Sequence, residues 1–363
     1  MGINAFFVLY RLVAGTALLR TTILKNVRNN SFFAIHWEDI MLKYAAQRIL
    51  LMLVTLFIIT LICFVLIRML PVAVLSNNAS DVAKTQAIMM RREALGYGKP
   101  YLVQFGIFLQ RIFTNWDWGM SDVLYYGRDV AEVFGRLLPA TMTVNLMSII
   151  FSIPIGIAFG IWAALKKNKM TDHIISTTTM FAISVPSFVY AFLVQYILCY
   201  KLDLFEFQVR PENGLFSPEC LISMIPAVLS LSFGVIAGFT RVTRAELTEV
   251  LTSEFMLLAR TKGLTRAQAT VRHAMKNCMV VILPSIFGEF IGIMSGSLII
   301  ENIFSVPGVG SMYLESITNA TMPDYPVFMM MTVFYTFVGL LSGVIIDISY
   351  GFIDPRIRMG SRK

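Results

Sequence analysis

The sequence predicts an all-α, polytopic membrane protein with six spanning helices, and three observations carry that reading. The chain of 363 residues is 56% hydrophobic and only 14% charged, and its mean hydropathy of +0.70 lies outside the range of soluble domains. Its apolar residues are gathered into uncharged runs at 49–67, 137–165, 174–200, 221–240 and 325–346, with a sixth at 277–300 broken by one charge, Glu289. Each run reaches the roughly 20 residues a helix needs to cross a hydrocarbon layer of ~30 Å. Finally, the basic residues alternate between loops. Lys166, Lys167 and Lys169 fill one short loop, Arg241, Arg244, Arg260, Lys262, Arg266, Arg272 and Lys276 crowd another, and Arg356, Arg358, Arg362 and Lys363 close the chain. The loop after the third run holds only Lys201 and Arg210, and 302–324 holds neither Lys nor Arg. The positive-inside rule then puts both chain ends and the 241–276 loop in the cytoplasm of a multi-pass cell-membrane protein. The net charge of +8 is a matter of topology and calls for no nucleic acid.

Taken in order, residues 1–40 form an N-terminal extension. Its apolar stretch 3–19 carries Arg11 in mid-segment, so it is a poor span and reads as an interfacial helix. A spanning helix, or a natural start at Met41, are the other readings. Residues 41–70 form the first transmembrane helix. The 71–138 segment is external and contains the amphipathic, aromatic stretch "ALGYGKPYLVQFGIFLQRIF", which suits a helix lying on the outer interface or touching an external partner. Residues 139–363 hold five further helices and a polar loop at 245–276. Pro154, Pro186 and Pro284 predict kinked spans. Cys63, Cys199, Cys220 and Cys278 show no framework spacing, so no disulfide is expected. His36, His173 and His273 share no metal-ligand spacing, and neither metal nor cofactor is expected.

The polar loop contains "ARTKGLTRAQATVRHAMKN" at 259–277. Leu264, Ala267, Val271, Ala274 and Cys278 recur at helical spacing, opposite Arg266, Arg272, His273 and Lys276. Thr265 followed by Gln268 reads as a capping box, and Gly263 suits the left-handed position that ends a preceding helix. In that preceding piece Ser253 is a candidate cap and Glu254 sits favourably near the N-terminus. The loop therefore reads as helix, glycine corner, helix. A basic amphipathic helix can simply rest on headgroups, but an elbow between two spans suits passing movement from a cytoplasmic partner into the bundle.

"ARTKGL" followed by "VRHAMKN" resembles the cytoplasmic loop of the oligopeptide and dipeptide permease family of ABC importers. The general importer signature is Glu-Ala-Ala, three residues, then Gly; here Leu257 and Leu258 stand in the Glu and first Ala positions, Ala259 in the second, and Gly263 in the Gly position. The resemblance continues through "WDWGMS" at 116–121, "VPSFV" at 185–189, "RVTRAELTEVL" at 241–251, "GSLIIENIFSVPGVG" at 296–310 and "DISYGFIDPRIR" at 347–358. It implies a six-helix importer transmembrane domain that forms half of a translocation path. It further implies a homologous second permease, two cytoplasmic ABC ATPase subunits and an external solute-binding protein as partners, with a peptide as substrate. Relatives with nearly the same motifs carry nickel, glutathione and other small solutes. On this resemblance Ser253, Glu254, Leu257, Leu258, Ala259, Arg260, Lys262 and Gly263 form the ATPase-coupling segment.

The chain holds no Gly-x4-Gly-Lys-Ser/Thr phosphate loop, so it should not be an enzyme in its own right. Ionisable residues in or at spans are costly and mark the bundle interior or an aqueous path. Glu301 and Asp347 match positions that family members share and are read as structural carboxylates. Glu289 departs from the family pattern and is the candidate for meeting a peptide's amino group, a bond to a neighbouring helix being the other reading. Ser295, Ser184 and Asn145 complete the candidate path. Gly292, Ser295, Gly296 and Ser297 suit close helix packing in the fifth span, and "SVPGVG" at 305–310 reads as a turn leading out of it. An ion-coupled secondary transporter would instead call for paired intramembrane carboxylates and internal repeats, and no repeat is visible.

Overall fold

The computed structural model describes residues 42–69, 79–318 and 323–353. The readings of residues 1–40, of Met41 and of "DPRIR" at 354–358 lie outside them. Residues 52–350 form one compact unit, and the described residues 42–51 and 351–353 belong to another. In the smaller unit Arg48 Nε donates to the Tyr44 hydroxyl one turn back, at 3.1 Å.

The larger unit is built from helices, and among the described residues the one β-bridge joins Met120 to Asp129. Among the described residues of the whole chain, five helices are long and apolar enough to cross a membrane: α1 (Leu42–Arg68), α4 (Val130–Leu165), α8 (Ile225–Leu251), α10 (Ala267–Gly292) and α13 (Tyr325–Ile353). A sixth crossing is a bent pair, α5 (Met170–Ser184) and α6 (Ser187–Lys201), meeting at 100°. Shorter helices connect them: α2 (Ala79–Ala94), α3 (Tyr101–Asn115), α7 (Pro218–Ser223), α9 (Glu254–Thr261), α11 (Leu298–Ile303) and α12 (Val309–Thr318).

Three expected spans are redrawn. The third is no single helix, because Pro186 forces Val185 out of the helical region, to φ −87 and ψ 126. The Tyr190 hydroxyl donates to the Ala182 carbonyl at 2.8 Å across that bend. The fifth begins earlier and stops earlier than the run 277–300, since Gly296 turns at φ +63 and Ser297 caps the new helix α11 by accepting from Ile300 N–H at 3.3 Å. Gly292, Ser295, Gly296 and Ser297 are thus at the helix end and its turn, not in a packed span. The second starts within the 71–138 segment, capped by Asp129, which accepts from Glu132 N–H at 3.0 Å.

Close packing falls on α4 instead. Gly156 and Gly160 let α8 approach so near that an added Cβ would meet the Ile236 carbonyl oxygen at 2.8 Å and the Thr240 carbonyl oxygen at 2.8 Å respectively. Thr240 Oγ1 donates to the Gly156 carbonyl at 3.1 Å, and Ser148 and Ser232 hydroxyls pair at 3.1 Å. Small residues spaced by four give two helices this intimacy in a lipid setting. At the end of α4 nearest Lys166, Asp172 of α5, 1% exposed, accepts from Arg244 Nη2 of α8 at 2.9 Å and from Asn168 N–H at 2.9 Å. Asp172→Asn should therefore destabilise the protein by about 2 kcal/mol, because it weakens charge-assisted hydrogen bonds to a guanidinium that is itself a third exposed. Thermal unfolding in detergent measures this.

The opposite end is closed by a cluster joining Phe64 of α1, Phe105, Phe108 and Ile112 of α3, Trp118, Met312 of α12, and Tyr325 and Met329 of α13. The stretch expected to lie on an interface thus buries one face in protein. The "WDWGMS" turn is held by Asp117, which accepts from Arg111 Nη2 at 2.8 Å and from Gly119 N–H at 2.9 Å. Gly119 sits at φ +97, where a side chain would be strained. Asp324, fully buried, accepts from the Ser121 hydroxyl at 2.5 Å and from Val123 and Leu124 N–H at 2.9 and 3.0 Å. It fastens this turn to the start of α13.

Candidate functional site

The elbow expected around Gly263 is present. Gly263 has φ +90, with its N–H donating to the Arg260 carbonyl at 3.0 Å. The capping box forms in both directions, Thr265 N–H to Gln268 Oε1 at 3.1 Å and Gln268 N–H to Thr265 Oγ1 at 3.3 Å. Ser253 occupies the N-cap position of α9 but does not cap it, because its hydroxyl donates to the Val250 carbonyl at 2.6 Å. The second helix does not run up to a span; it is the first part of α10. A π-turn at Thr270–Ala274 rotates its face, so Ala269, Thr270, Ala274 and Cys278 are buried, whereas Ala267 and Val271 are exposed.

Within α9, Met256 and Ala259 are buried and join the core formed by Phe239 and Leu247 of α8 and Ala274, Cys278 and Ile282 of α10. The other face presents Leu257 and Leu258, 64% and 56% exposed, with Glu254, Arg260 and Lys262 also exposed. Phe255 packs edge-on against His273 of α10 at 5.8 Å. The helix is thus fixed to two spans by one side and offers an apolar pair rimmed by charge on the other.

A groove runs along α8. Two cavities, of about 340 and 310 Å³, share Leu231, Gly234, Gly238 and Arg241. One is walled by Ser285 and Glu289 of α10, the other by Val185, Ser187 and Tyr190 at the α5–α6 bend. A Cβ added at Gly234 or Gly238 would meet nothing within 4 Å. Glu289 is half-buried and its carboxylate has no hydrogen-bond or ion-pair partner among the described residues. Arg241, of opposite charge, lines the same cavity and is exposed.

Of the other candidate path residues, Ser184 donates to the Met180 carbonyl at 2.8 Å, Asn145 to the Thr141 carbonyl at 2.8 Å, and Ser295 sits in the turn after α10. None of the three lines the groove. Sequence reasoning did not single out Arg241 or the bend residues for it. The spacing of Leu231, Gly234, Gly238 and Arg241 on one helical face is the signal that finds them.

Glu301 is 1% exposed and makes no ion pair among the described residues; its carboxylate accepts from Gly310 N–H at 2.8 Å, the Thr141 hydroxyl at 3.1 Å and Ser297 N–H at 3.3 Å. The glycines of "SVPGVG" do cradle an acid, the chain's own. Asp347 is half-buried in α13.

Comparison with known proteins fits this arrangement. Residues 156–359 match the model of the binding-protein-dependent transport system inner membrane component, and residues 41–145 match that family's N-terminal membrane component. The chain is 32% identical over 319 residues to the dipeptide transport system permease protein DppB of Lactococcus lactis subsp. cremoris, covering 88% of this chain and 100% of that one. It is 29% identical to the oligopeptide transport system permease protein OppB of Haemophilus influenzae, covering 88% and 100%. To the glutathione transport system permease protein GsiC of Escherichia coli it is 30% identical, covering 88% and 99%. A looser likeness, at TM-score 0.45 and 17% identity over 61% of this chain and 94% of the other, is to a solved amino acid ABC transporter with histidines. Agreement along nearly the whole length of such relatives places the chain in the family of inner membrane components of binding-protein-dependent transport systems, as a multi-pass permease subunit.

Proposed function

We propose that this chain forms one half of the translocation path of an ATP-driven importer of dipeptides or oligopeptides, and that α9 receives the movement of cytoplasmic ATPase subunits. The observation that carries this reading is the two-faced α9, anchored by Met256 and Ala259 and offering Leu257 and Leu258 outward. A short helix with an exposed apolar pair and a charged rim is what a partner's groove takes. The basic residues Lys166, Lys167, Lys169, Arg260, Lys262, Arg272 and Lys276 support a cytoplasmic position for this end of the bundle by the positive-inside rule.

The groove along α8 supports a path shared with a homologous second permease, whose matching face would close it. Glu289 and Arg241 place opposite charges in one cavity, which suits a zwitterionic peptide with one amino and one carboxylate terminus. The relatives described above are named for dipeptide, oligopeptide and glutathione transport, which favours a peptide over nickel. Glu289 has no second carboxylate or histidine beside it in this cavity, which speaks against an ion-coupled carrier. ATP binding shifts the bundle between its inward-open and outward-open states only through differential affinity for the two. A loaded external binding protein must favour the ATPase-closed state by the same coupling energy, on the order of 1 to 3 kcal/mol.

Purification of the chain from its native membrane in mild detergent should recover a second permease and ATPase subunits, with ATPase activity. Leu257→Glu combined with Leu258→Glu should strip the ATPase from that preparation and reduce ATP-dependent peptide uptake at least tenfold while leaving the second permease bound. Retention of the ATPase with normal uptake would remove α9 from the coupling role.

A further inference from the structure

Where α1 stops and α13 begins, a cavity of about 270 Å³ gathers four arginines, Arg68 from α1, Arg91 and Arg92 from α2 and Arg111 from α3, with only Asp117 and Asp122 to balance them. Arg91 and Arg92 both reach Asp122, at 3.2 and 3.0 Å, and Arg111 reaches Asp117 at 2.8 Å. The carboxylates are committed, and Arg68 has none among the described residues.

Arg92 is 4% exposed, yet its Nε and Nη1 have no acceptor among the described residues, and neither do Arg68 Nη1 and Trp118 Nε1 in the same wall. The guanidinium carbons lie over rings, Arg68 at 3.4 Å from the centre of Tyr97 and Arg92 at 4.6 Å from that of Tyr325. Stacking fixes their planes while leaving the edge N–H groups turned to whatever enters. A buried donor without an acceptor costs about 1–3 kcal/mol. Four such donors and an excess of positive charge define their complement, an anion rich in oxygen.

We propose that this cavity is a binding site for a phosphate group. Unpaired donors on three side chains from separate segments belong to the wall of one cavity. A planar carboxylate satisfies a guanidinium fork edge-on, whereas the tetrahedral oxygens of phosphate accept from several directions at once. Arg68 is the last residue of one candidate span and Tyr325 the first of another, so the site lies at the depth of lipid headgroups. An apolar slot of about 290 Å³ at the same end, lined by Cys63, Leu66, Ile317 and Phe328, shares Ile67 with the arginine cavity. An anionic phospholipid, its phosphate on the arginines and an acyl chain in the slot, is one source of the group; free phosphate is the other.

The test uses the full chain purified with its associated subunits and stripped of lipid. Thermal unfolding is followed while either inorganic phosphate or phosphatidylglycerol is added, for the wild type, Arg68→Gln and Trp118→Phe. Neither substitution touches the Arg92–Asp122 pair, so the fold should hold. The wild type should be stabilised by at least one probe, with apparent affinity about tenfold weaker in Arg68→Gln and a few-fold weaker in Trp118→Phe, as expected for a charge-assisted and a neutral donor. Stabilisation by phosphatidylglycerol alone identifies the lipid, by inorganic phosphate alone the free anion, and by both a site open to either. Failure of both probes to stabilise the wild type, or equal stabilisation of wild type and Arg68→Gln, overturns the proposal.

Discussion

Gly160→Leu is expected to leave no folded protein in detergent. A Cβ at residue 160 would sit 2.5 Å from Thr243 Cβ and 2.8 Å from the Thr240 carbonyl oxygen. One of those obstacles is backbone, and the local segment cannot retreat, because Thr240 is itself tied to the Gly156 carbonyl at 3.1 Å. Even alanine here should cost about 3 kcal/mol, the upper part of what overpacking usually costs. Leucine adds three more carbons to the same gap, so α4 and α8 must part along their length. Cys199, Cys220 and Cys278 are buried and Cys63 is half-buried, so with Cys63 replaced by serine a thiol-reactive fluorophore reports unfolding directly; Gly160→Leu should react at once, and a wild-type-like melting curve would mean that the two helices do not cross here. Gly234→Leu is the contrast. It adds the same bulk to the same helix pair's other partner, but in open space, so it should melt normally and instead reduce transport by filling the groove.

The two results together would explain what the sequence disclosed and what it hid. Among the described residues hydropathy runs found every candidate span, because a bilayer imposes length and apolarity on each span by itself. Run boundaries were poorer guides to helix ends. Pro186 bends the third span by disfavouring helix at Val185, and the turn at Gly296 ends the fifth before its apolar run does. The elbow was legible because capping and left-handed glycine are local chemistry, seen at Thr265, Gln268 and Gly263. The buried face of the second elbow helix was misjudged by its π-turn, which shifts the register without any change of composition. Partnerships distant in sequence were not legible: Asp172 with Arg244 and Asp324 with the 121–124 turn, like the one cavity that Glu289 and Arg241 both line without bonding, arise only once α5, α8, α10 and α13 are packed. Gly156 and Gly160 did carry a signal, the four-residue spacing of small residues.

At pH 8, where the Glu301 carboxylate is ionised, Glu301→Gln should lower stability by about 2 kcal/mol, the cost of leaving a buried donor unmet. The Glu301 carboxylate faces donors only: Gly310 N–H, Ser297 N–H and the Thr141 hydroxyl. A backbone N–H, which cannot accept, meets each carboxylate oxygen, Ser297 on one and Gly310 on the other. A glutamine amide therefore sets N–H against N–H or O–H on one side. Gly296, Gly308 and Gly310 press on the carboxylate so closely that a side chain at any of them would overlap it, leaving no room for water to repair the mismatch. The same enclosure shapes the pH dependence. Burial pushes the Glu301 carboxyl from 4.5 up to about 7, against the pull of its hydrogen bonds. It lies outside the candidate spans, so bulk pH reaches it through the adjoining loop. A raised pKa means that the folded protein holds this proton more tightly than the unfolded chain does. Its contribution to stability is full below about 4.5 and is lost as pH rises through about 7, on the order of 3 kcal/mol in all. Wild-type unfolding temperature should accordingly fall from pH 5 to pH 8 more steeply than that of Glu301→Gln, which has no proton to lose. Parallel profiles would show that the carboxylate stays ionised throughout, its three donors outweighing its burial.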